Sequence, residues 1–478
     1  MPSDSAILTS SRNTSLPRVG TPKPAFTSSL LAILGGQAAS GAVALLTEIT
    51  YARLLGPAAR GVISLCLMSM AFGSLLAGLG GEGVVVYWAS RSHKKTSGWI
   101  PAVLFWGCLG CAVAGVLWIL AYWQLHLPVL RGISPRSARV VLVGIPAAVL
   151  FAYMMALASG TERFRLRSAC AALRQAVGIT SFVFLVLLIG RNVEAALWGN
   201  LVGLAVGSLI ALLLLRDDIR RNWRIDGTVE HLKATLSYGL RGQVGNLATF
   251  FSYRLDVFIV NYFLDPAQLG FYALGVVVSE ALWQIPQAAA SALFPRTART
   301  VEHDATEFTC FILRQVLLIT TLCGIAVAVL SPFVIPVVFG ARFGPSVPVI
   351  WWILPGTIAL SLGKVACADL AGRGKNGYSS VFAFICLAVT AFLDWFLIPR
   401  MGIIGAAFAS SIAYFLDALL ILVALRHELR VSWRSVLIPA RSDVEAYRLA
   451  WFRLRSALAQ GLTKRVTPAE IFASPEGD

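Results

Sequence analysis

The sequence predicts an all-α, polytopic membrane protein with about twelve transmembrane helices in two six-helix halves. Hydrophobic residues make up 57% of the 478 residues and charged residues only 13%, whereas soluble domains have roughly 25% charged residues. Twelve apolar runs each have about the 20 residues that a helix needs to cross a bilayer. A helix–turn–helix pattern recurs near the midpoint of the chain, which indicates that the two halves are copies of one unit.

The apolar runs follow one another along the chain, with short connections between them. In the first half they are 26–51, 60–80, 100–122, 138–158, 169–190 and 195–215; in the second half they are 235–263, 269–292, 309–336, 347–371, 378–398 and 403–425. Val84–Ala89 is also apolar but is too short to span a membrane. The first run is rich in Gly and Ser and the seventh contains charges, so these two differ most from a typical span.

These runs divide the chain into five predicted regions. They are a disordered cytoplasmic tail (1–24), an N-terminal six-helix lobe (25–215), a basic cytoplasmic linker (216–234), a C-terminal six-helix lobe (235–425) and a basic cytoplasmic tail (426–478). Within the last region, Val444–Leu462 alternates apolar residues and Arg at helical spacing. This pattern predicts a helix that either lies on the anionic inner membrane surface or is simply solvated.

A short turn motif occurs twice, 209 residues apart. Leu55-Gly56-Pro57-Ala58-Ala59-Arg60-Gly61 and Leu264-Asp265-Pro266-Ala267-Gln268-Leu269-Gly270 have Leu, Pro, Ala and Gly at the same places. A motif this short also arises by chance. Because the pattern of apolar runs around it repeats as well, we interpret the two copies as equivalent turns of two related lobes.

The distribution of Lys and Arg predicts the orientation of the chain. With the N-terminus in the cytoplasm, the inner segments hold 30 Lys and Arg residues and the outer segments hold 8. Positive residues concentrate on the cytoplasmic side, so both termini are predicted to be cytoplasmic. The net charge of +16 is then a consequence of topology, and the predicted partners are membrane lipids rather than nucleic acid.

Several kinds of chemistry are not expected from this sequence. All 8 cysteines lie in or beside apolar runs and the 5 histidines form no ligand-spaced pair, so no disulfide framework, metal site or other cofactor is predicted. The chain has no G-x-x-x-x-G-K-[ST] motif for ATP. The short outer connections leave no room for an extramembrane catalytic domain, so the protein is predicted not to be an enzyme.

Charged residues inside the apolar runs are the candidate functional residues, because a charge at mid-membrane costs a few kcal/mol. Arg254 and Lys364 are predicted to bind substrate as a cationic patch in a cavity between the halves. A guanidinium is well suited to a phosphate, which it can hold with two parallel hydrogen bonds. The carboxylates expected to line the cavity or to take a coupling ion are Glu48, Asp256, Glu280, Asp369 and Asp417.

The depth of these residues can be judged from the turns. Arg254 lies 12 residues before Pro266 and Glu280 lies 14 residues after it, so both lie roughly 18–21 Å from the outer turn at 1.5 Å per residue. The alternative interpretation of Arg254 is therefore a structural ion pair with Glu280 that stabilises one hairpin. Asp394 is six residues before Arg400 and is expected at the outer interface.

Four short segments resemble the polysaccharide-transport family, the lipid-linked oligosaccharide flippases of the multidrug/oligosaccharidyl-lipid/polysaccharide exporter (MOP) superfamily. They are Ala52-Arg53-Leu54-Leu55-Gly56-Pro57-x-x-Arg60-Gly61; Arg254-x-Asp256 with Leu264-x-Pro266-x-x-x-Gly270-x-Tyr272-Ala273-Leu274; Glu162-Arg163-Phe164-Arg165; and Met401-Gly402-x-x-Gly405-Ala406-Ala407. The resemblance covers about residues 26–425. Arg254 matches an Arg of the family pattern, Lys364 does not, and Asp265 replaces a Gly common in such turns.

The resemblance implies two six-helix lobes around a central cavity that opens alternately to each side. It implies a lipid-linked oligosaccharide substrate, a short glycan on polyprenyl pyrophosphate, flipped across a bacterial cytoplasmic (inner) membrane for O-antigen or exopolysaccharide biosynthesis. Partners would be the polysaccharide polymerase or export machinery. The alternatives are an ion-coupled multidrug or small-molecule antiporter and a lipid II flippase. Short outer loops argue against a glycosyl enzyme, and embedded charges argue against a purely structural protein.

Overall fold

The computed structural model describes residues 24–91, 99–223, 228–297, 302–375 and 377–438, and within these ranges all regular secondary structure is helical. Ten helices in the described ranges are long and apolar enough to cross a membrane. One of them, Ser40–Gly78, covers the later part of the first predicted span and nearly all of the second. The helix at the seventh predicted span is too polar to be among the ten. When Ser40–Gly78 is counted as two spans and the helix at the seventh run is added, the structure agrees with the prediction of about twelve spans. The predicted stretch Val444–Leu462 and nearly all of the N-terminal tail lie outside the described residues.

The described part of the first half contains seven α-helices. They are α1 (Pro24–Gly78), α2 (Gly81–Ser90), α3 (Trp99–Ile119), α4 (Pro135–Gly160), α5 (Phe164–Ile189), α6 (Val193–Leu214) and α7 (Arg216–Asn222), and a π-helical turn, Leu120–Gln124, extends α3. The short α7 lies in the predicted linker. In this half α5 packs along α6, and α1 packs against α4 and α5.

The second half begins with α8 and ends with a short helix beyond the last span. Its helices are α8 (Thr228–Phe263), α9 (Pro266–Glu280), α10 (Gln284–Thr297), α11 (Glu302–Phe339), α12 (Ser346–Gly372), α13 (Gly377–Met401), α14 (Ile403–Leu429) and α15 (Trp433–Leu437). A 3-10 turn, Ala281–Trp283, joins α9 to α10. α12 packs along α14, and α13 packs along both α14 and α8.

A sharp turn at Gly56 divides α1 into the first two spans. Gly56 has φ 79° and ψ 180°, outside the helical region, and Pro57 follows it. Glycine tolerates this positive φ, and proline is well suited to the first position of the next helix. The guanidinium of Arg60 contacts the carboxylate of Glu48 at 2.5 Å. Twelve residues of straight helix extend about 18 Å, so this contact shows that the chain folds back on itself.

The apolar segment Val84–Ala89 lies in α2, which continues the second span after a break. Leu79 and Gly80 have positive φ angles of 46° and 73°, so the helix stops and restarts there. The hydroxyl of Tyr153 donates a hydrogen bond to the carbonyl of Gly78 at 3.0 Å, which satisfies one backbone group freed by the break. The segment therefore extends a span instead of crossing the membrane by itself.

The two repeated turns pack against each other. The end of the molecule where they lie is called the outer end, following the predicted orientation. A Cβ at Gly61 would overlap the carbonyl oxygen of Pro266, and a Cβ at Gly270 would overlap the carbonyl oxygen of Pro57. The contact is reciprocal, because each glycine meets the proline of the other copy. Only glycine allows backbones to approach this closely.

Other contacts join the halves at the outer end. The amide of Asn261 donates hydrogen bonds to the carbonyls of Val129 and Arg131, both at 3.0 Å. Arg53 donates to the carbonyls of Val337 and Val338. These bonds run between the first and second halves, so the outer end is closed in this structure.

The inner part of α8 also contacts the first half. The indole of Trp106 donates a hydrogen bond to the carbonyl of Leu232 at 3.0 Å, and the rings of Tyr87 and Tyr238 lie 4.8 Å apart. A Cβ at Gly80 would overlap the carbonyl of Gly239. α8 therefore contacts the first half at both of its ends.

Alanine at Gly61 is expected to hold the outer end open. The added methyl group would overlap a backbone oxygen, and overpacking of this kind costs about 1–3 kcal/mol. We expect roughly tenfold faster labelling, by a membrane-impermeant maleimide, of a cysteine introduced at the buried Leu269 in a cysteine-free background.

The matched control for that experiment is Gly242→Ala, because a Cβ at Gly242 meets no atom within 4 Å. Labelling at Leu269 should stay slow in this control. Equal labelling rates in Gly61→Ala and Gly242→Ala would show that the two turns do not close the outer end.

Candidate functional site

The hairpin of α8 and α9 positions the first candidate residues. Asp265 caps the N-terminus of α9, where its Oδ1 accepts hydrogen bonds from the amides of Ala267 and Gln268 at 2.8 and 2.9 Å. Pro266 occupies the first helical position. Asp265 stands where the family pattern commonly has Gly, and its side chain caps α9. Such a cap stabilises a helix by about 0.5–2 kcal/mol.

Arg254 and Glu280 form a bidentate ion pair within this hairpin. The two terminal nitrogens of Arg254 donate to the two carboxylate oxygens of Glu280 at 2.9 and 2.7 Å. Their side chains are 25% and 13% exposed, so water reaches Arg254 to some extent. The pairing expected from their equal depth is present, and the guanidinium has the planar, two-bond geometry that also suits a phosphate.

Three aromatic side chains surround this pair. The hydroxyl of Tyr414 donates to Glu280 at 3.3 Å, and the hydroxyl of Tyr253 donates to Asp417 at 2.8 Å. The ring centroids of Tyr253, Trp283 and Tyr414 lie 5.5–5.8 Å from one another. The rings therefore hold both carboxylates in place through hydrogen bonds and packing.

Lys364 lies against the same aromatic rings. Its Nζ is 4.1 Å from the centroid of Trp283 and 5.4 Å from that of Tyr253, within the range of a cation–π interaction. Among the residues that the structure describes, no carboxylate lies within 4 Å of this ammonium group. Lys364 is thus a cation held by aromatic rings and available to an anionic ligand.

Lys364 lines a cavity of about 340 Å³ within the second half. Its walls come from α8, α10, α12, α13 and α14, and they include Tyr253, Gln287, Lys364, Cys367, Cys386 and Asp417. The sequence predicted Lys364 in a cavity between the two halves, whereas the cavity described here lies within the second half. The depth of a residue follows from its distance to a turn, whereas the direction of its side chain depends on how α12 is rotated about its axis.

The cluster around Lys364 is electrically balanced. Arg254 and Lys364 supply two positive charges, and Glu280 and Asp417 supply two negative charges. The two cations are therefore held among Glu280 and Asp417, two of the carboxylates that the sequence predicted to line the cavity. A phosphate oxygen that approaches Lys364 would also compete with Glu280 for the guanidinium of Arg254.

The remaining carboxylate candidates do not join this cluster. Glu48 pairs with Arg60 in the first half. Asp369 is fully buried in the inner part of α12, where Arg373 contacts it at 2.7 Å and Thr309 donates to it at 2.8 Å. These two carboxylates stabilise the helices that they join and face other groups than Lys364.

Asp256 is buried on a different face of α8 from Arg254, as their spacing of two residues predicts. It accepts hydrogen bonds from the hydroxyl of Tyr272, from that of Ser410 at 3.3 Å and from the amide of Val257 at 2.7 Å. It therefore belongs to a second buried polar cluster between α8, α9 and α14.

Asparagine at Asp369 is expected to lower stability with little change in the geometry of the Lys364 cluster. Removing one partner of a buried ion pair costs about 3–5 kcal/mol, and Arg373 would be left without its carboxylate. The measurement is the midpoint of thermal unfolding of the detergent-purified protein. Asp217→Asn is the control, since Asp217 is 66% exposed in a 3.8 Å pair. Equal midpoints in the two variants would contradict a structural role for Asp369.

The sequence analysis did not single out one half-buried cation within a helix of the first half. Arg174 lies in α5, ten residues after its first residue, Phe164, although it was counted among the 30 Lys and Arg residues of the inner segments. It donates to Asn200 at 3.3 Å and lies 5.4 Å from the ring of Phe151. Within the described ranges no carboxylate lies within 4 Å of it. Its distance from the preceding loop was the signal that it lies inside the membrane.

Asp394 of α13 is a further carboxylate in the interior. It was expected at the outer interface, and in the structure it is 0% exposed. The buried residues of α13 are Ala383, Cys386, Thr390, Asp394 and Ile398. This spacing of three or four residues marks one helix face, so the periodicity of the sequence contained the signal. No comparable periodicity in the sequence indicated the cluster of aromatic side chains around Lys364.

The family model and two of the related proteins that match this chain concern polysaccharide or glycan biosynthesis and transport. A family model described as "Polysaccharide biosynthesis protein" matches residues 50–348, more than half of the chain. A Shigella flexneri protein named "Putative O-antigen transporter" is 23% identical over 388 residues, which cover 77% of this chain and 90% of that protein. A Haloferax volcanii protein named "Probable low-salt glycan biosynthesis flippase Agl15" is 21% identical over 241 residues, 50% of each chain.

Solved structures with the same fold are membrane transporters. The lipid II flippase MurJ in an inward closed conformation superposes with a TM-score of 0.66 at 14% identity, covering 91% of this chain and 94% of that chain. An outward-facing multidrug resistance MATE family transporter of the MOP superfamily superposes with a TM-score of 0.56 at 15% identity, covering 84% and 95%. These likenesses establish the two-lobed, all-α fold.

Proposed function

The chain belongs to the polysaccharide biosynthesis protein family, and on that premise we propose that it flips a polyprenyl-pyrophosphate-linked oligosaccharide across the membrane by alternating access. The names of two relatives, an O-antigen transporter and a glycan biosynthesis flippase, support this substrate class. The observation that carries the proposal to this chain is the half-buried cluster of Arg254 and Lys364 in a polytopic membrane protein.

The physical problem for such a substrate is its head group. Burying the charges and hydroxyls of a sugar pyrophosphate in hydrocarbon without partners costs many kcal/mol. Cations and hydrogen-bond donors inside the protein remove that cost without any covalent step. Export of an anion is also favoured by an inside-negative potential, by about 2.3 kcal/mol per charge per 100 mV.

Lys364 and Arg254 are proposed to bind the pyrophosphate of the head group. The ammonium of Lys364 has no ion-pair partner among the described residues and borders the cavity, so it meets the phosphate first. Arg254 then exchanges its two hydrogen bonds to Glu280 for bonds to phosphate oxygens. The cavity of about 340 Å³ is at the small end of ligand pockets, about 300–1,000 Å³. It therefore suits the charged part of the head, while the rest of the glycan requires the lobes to part.

The proposed location is the bacterial cytoplasmic membrane, with both termini in the cytoplasm. The asymmetry of Lys and Arg supports this orientation. The flipped glycan would be passed to polysaccharide polymerase or export machinery on the outer side. The protein would make and break no covalent bond, in keeping with relatives named as a transporter and a flippase.

A clean deletion in the native host tests the proposal. Lipid-linked oligosaccharide on each membrane face and surface polysaccharide would be quantified beside drug sensitivity. Loss of surface polymer with accumulation of the intermediate on the cytoplasmic face is the expected result, and the accumulated lipid identifies the glycan. Normal polymer in the deletion strain would refute the proposal.

The cluster of Glu280 and Asp417 favours a second candidate, an ion-coupled multidrug or small-molecule antiporter. Two carboxylates beside aromatic rings suit an organic cation, and the fold is shared with a MATE transporter. Heightened drug sensitivity with normal surface polymer in the same deletion strain would support this candidate. A lipid II flippase, the activity named for the MurJ structure, would instead produce a defect in wall synthesis.

A further inference from the structure

An apolar cavity lies between the first half and α8, away from the cluster around Lys364. Its walls come from α1, α3, α4 and α8 and from the connection between α3 and α4. Its volume is about 580 Å³, against about 340 Å³ for the cavity at Lys364, and ligand pockets span about 300–1,000 Å³. Among the described residues none lines both cavities, so this is a separate site.

The walls of this apolar cavity offer little to a polar ligand. Of the lining side chains that the structure describes, only Ser69 and Trp118 carry a polar group. The indole of Trp118 already donates to the carbonyl of Ala138 at 3.0 Å, which leaves one hydroxyl. Burying a polar group without partners costs roughly 2–7 kcal/mol. The chemistry of the walls therefore selects a hydrocarbon ligand.

The apolar cavity opens toward the bilayer on the side of α3. Leu117, Leu120 and Leu125 line it and are also exposed on the surface of the protein. Lipid chains are as apolar as leucine, so the hydrophobic effect alone does not draw a chain out of the bilayer. An empty space, however, loses the dispersion contacts of the atoms that line it. A hydrocarbon chain that enters from the bilayer restores these contacts.

One helix, α8, carries both a wall of the apolar cavity and Arg254. Phe251 is three residues before Arg254 and Phe258 is four residues after it, and residues at these spacings are neighbours on the surface of a helix. Both phenylalanines line the apolar cavity, as does Leu255. The cavity therefore begins beside the guanidinium that is proposed to bind phosphate.

The apolar cavity extends from the depth of Arg254 toward the outer end. Phe251 is 14 residues before Asp265 and Phe258 is seven before it, which places them about 21 and 11 Å from the outer turn at 1.5 Å per residue. Val129, near the outer end, lines the cavity too. A lipid of the inner leaflet points its tail toward the outer leaflet. When its head group has reached Arg254, its tail therefore extends along this cavity.

We propose that the apolar cavity holds the first isoprenoid units of the lipid-linked substrate while Arg254 and Lys364 hold its pyrophosphate. A phospholipid keeps its head group at a membrane surface, roughly 15 Å from the middle of a 30 Å hydrocarbon core, so it places no charge at Arg254. Two linked groups that bind neighbouring sites bind more tightly than either group alone. This assignment deepens the proposed function and rests on it.

Binding of two ligands to the detergent-purified, full-length protein separates the apolar cavity from the phosphate cluster. The ligands are undecaprenyl pyrophosphate and inorganic pyrophosphate. Ala121 lines the cavity and is half-buried, so Ala121→Phe fills part of it. We expect this variant to bind undecaprenyl pyrophosphate at least about tenfold more weakly, equivalent to 1.4 kcal/mol. Its affinity for inorganic pyrophosphate should be unchanged, which also shows that it has folded.

Ala112→Phe is the matched control, since Ala112 lies on the same helix, is exposed and does not line the apolar cavity. It should bind both ligands as the parent protein does. If Ala121→Phe does not fold, Leu117→Trp replaces it, with Leu109→Trp of the same helix as its control, because Leu109 is exposed and outside the cavity.

Three outcomes would overturn the assignment of the apolar cavity. They are unchanged binding of undecaprenyl pyrophosphate when the cavity is filled, equal weakening in the control, and equally tight, equally weakened binding of phosphatidic acid, which would make the cavity a general site for lipid chains. Failure of the proposed function gives a different result. The parent protein would then not bind inorganic pyrophosphate, whereas uncharged undecaprenol would still bind and would still lose affinity in Ala121→Phe, which retains the cavity as an isoprenoid site.

Discussion

Arg254→Ala is expected to abolish transport of the lipid-linked oligosaccharide, and Arg254→Lys to retain part of it. Alanine removes the donor to the phosphate and leaves Glu280 as a buried carboxylate without its partner. Breaking a buried pair in this way costs about 3–5 kcal/mol, so the protein level will also fall. Lysine restores the charge but not the two parallel hydrogen bonds. Transport is measured as restoration of surface polysaccharide in the deletion strain, normalised to protein in the membrane.

The double variant Arg254→Ala/Glu280→Ala separates the structural role of Arg254 from its role toward substrate. Removing both charges relieves the unpaired carboxylate, so the protein level should recover. Transport should remain absent, because the phosphate donor is still missing. Full transport in the double variant, or in Arg254→Ala at normal protein level, would reduce Arg254 to a structural residue of the hairpin.

Lys364→Met is expected to reduce transport strongly while leaving the protein folded. Methionine fills the space beside Trp283 and needs no ion-pair partner, so little stability is lost. A hydrogen bond to a charged group contributes about 1.5–3 kcal/mol, so the loss of transport should be roughly ten- to 150-fold. Lys364→Arg should retain more activity than Lys364→Met, since it preserves the charge over the rings.

The rate of substrate flipping by protein in vesicles checks this prediction. Val381→Met is the control, because Val381 is on α13 and 59% exposed, away from the cavity. Flipping by Lys364→Met at the rate of this control would exclude Lys364 from the substrate site and leave its ammonium as a packing partner of Trp283.

The positions of residues along the membrane normal could be predicted from the sequence. Depth is a count of residues from a turn, and the turns at Gly56 and Asp265 are marked by glycine, proline and a change of hydropathy. The pairing of Arg254 with Glu280 followed from this count alone. The seventh span could also be located, although α8 is more polar than the other spans. The repeat makes this span the counterpart of the first span.

Rotation about each helix axis was harder to predict. A helix that is apolar all round has no strong amphipathic stripe, so its sequence does not show which face meets which neighbour. The sequence therefore predicted Lys364 in a cavity between the halves, whereas the cavity that it lines in the structure lies within the second half. The burial of Asp394 was not predicted, because its distance to Arg400 was weighed and the periodicity of buried residues from Ala383 to Ile398 was not. The hydrogen bonds of Tyr253 and Tyr414 join helices far apart in sequence and had no local signal.

The contact between Gly61 and Gly270 has a consequence for the environment in which the protein works. It is made of backbone atoms, so acid and salt leave its strength unchanged, whereas surface ion pairs weaken as ionic strength rises. Dispersion forces are also short-ranged, and a gap of about 1 Å already loses up to half of a contact. The contact between Gly61 and Gly270 therefore forms or breaks as a unit. Its resistance to opening should be the same in dilute and in saline medium.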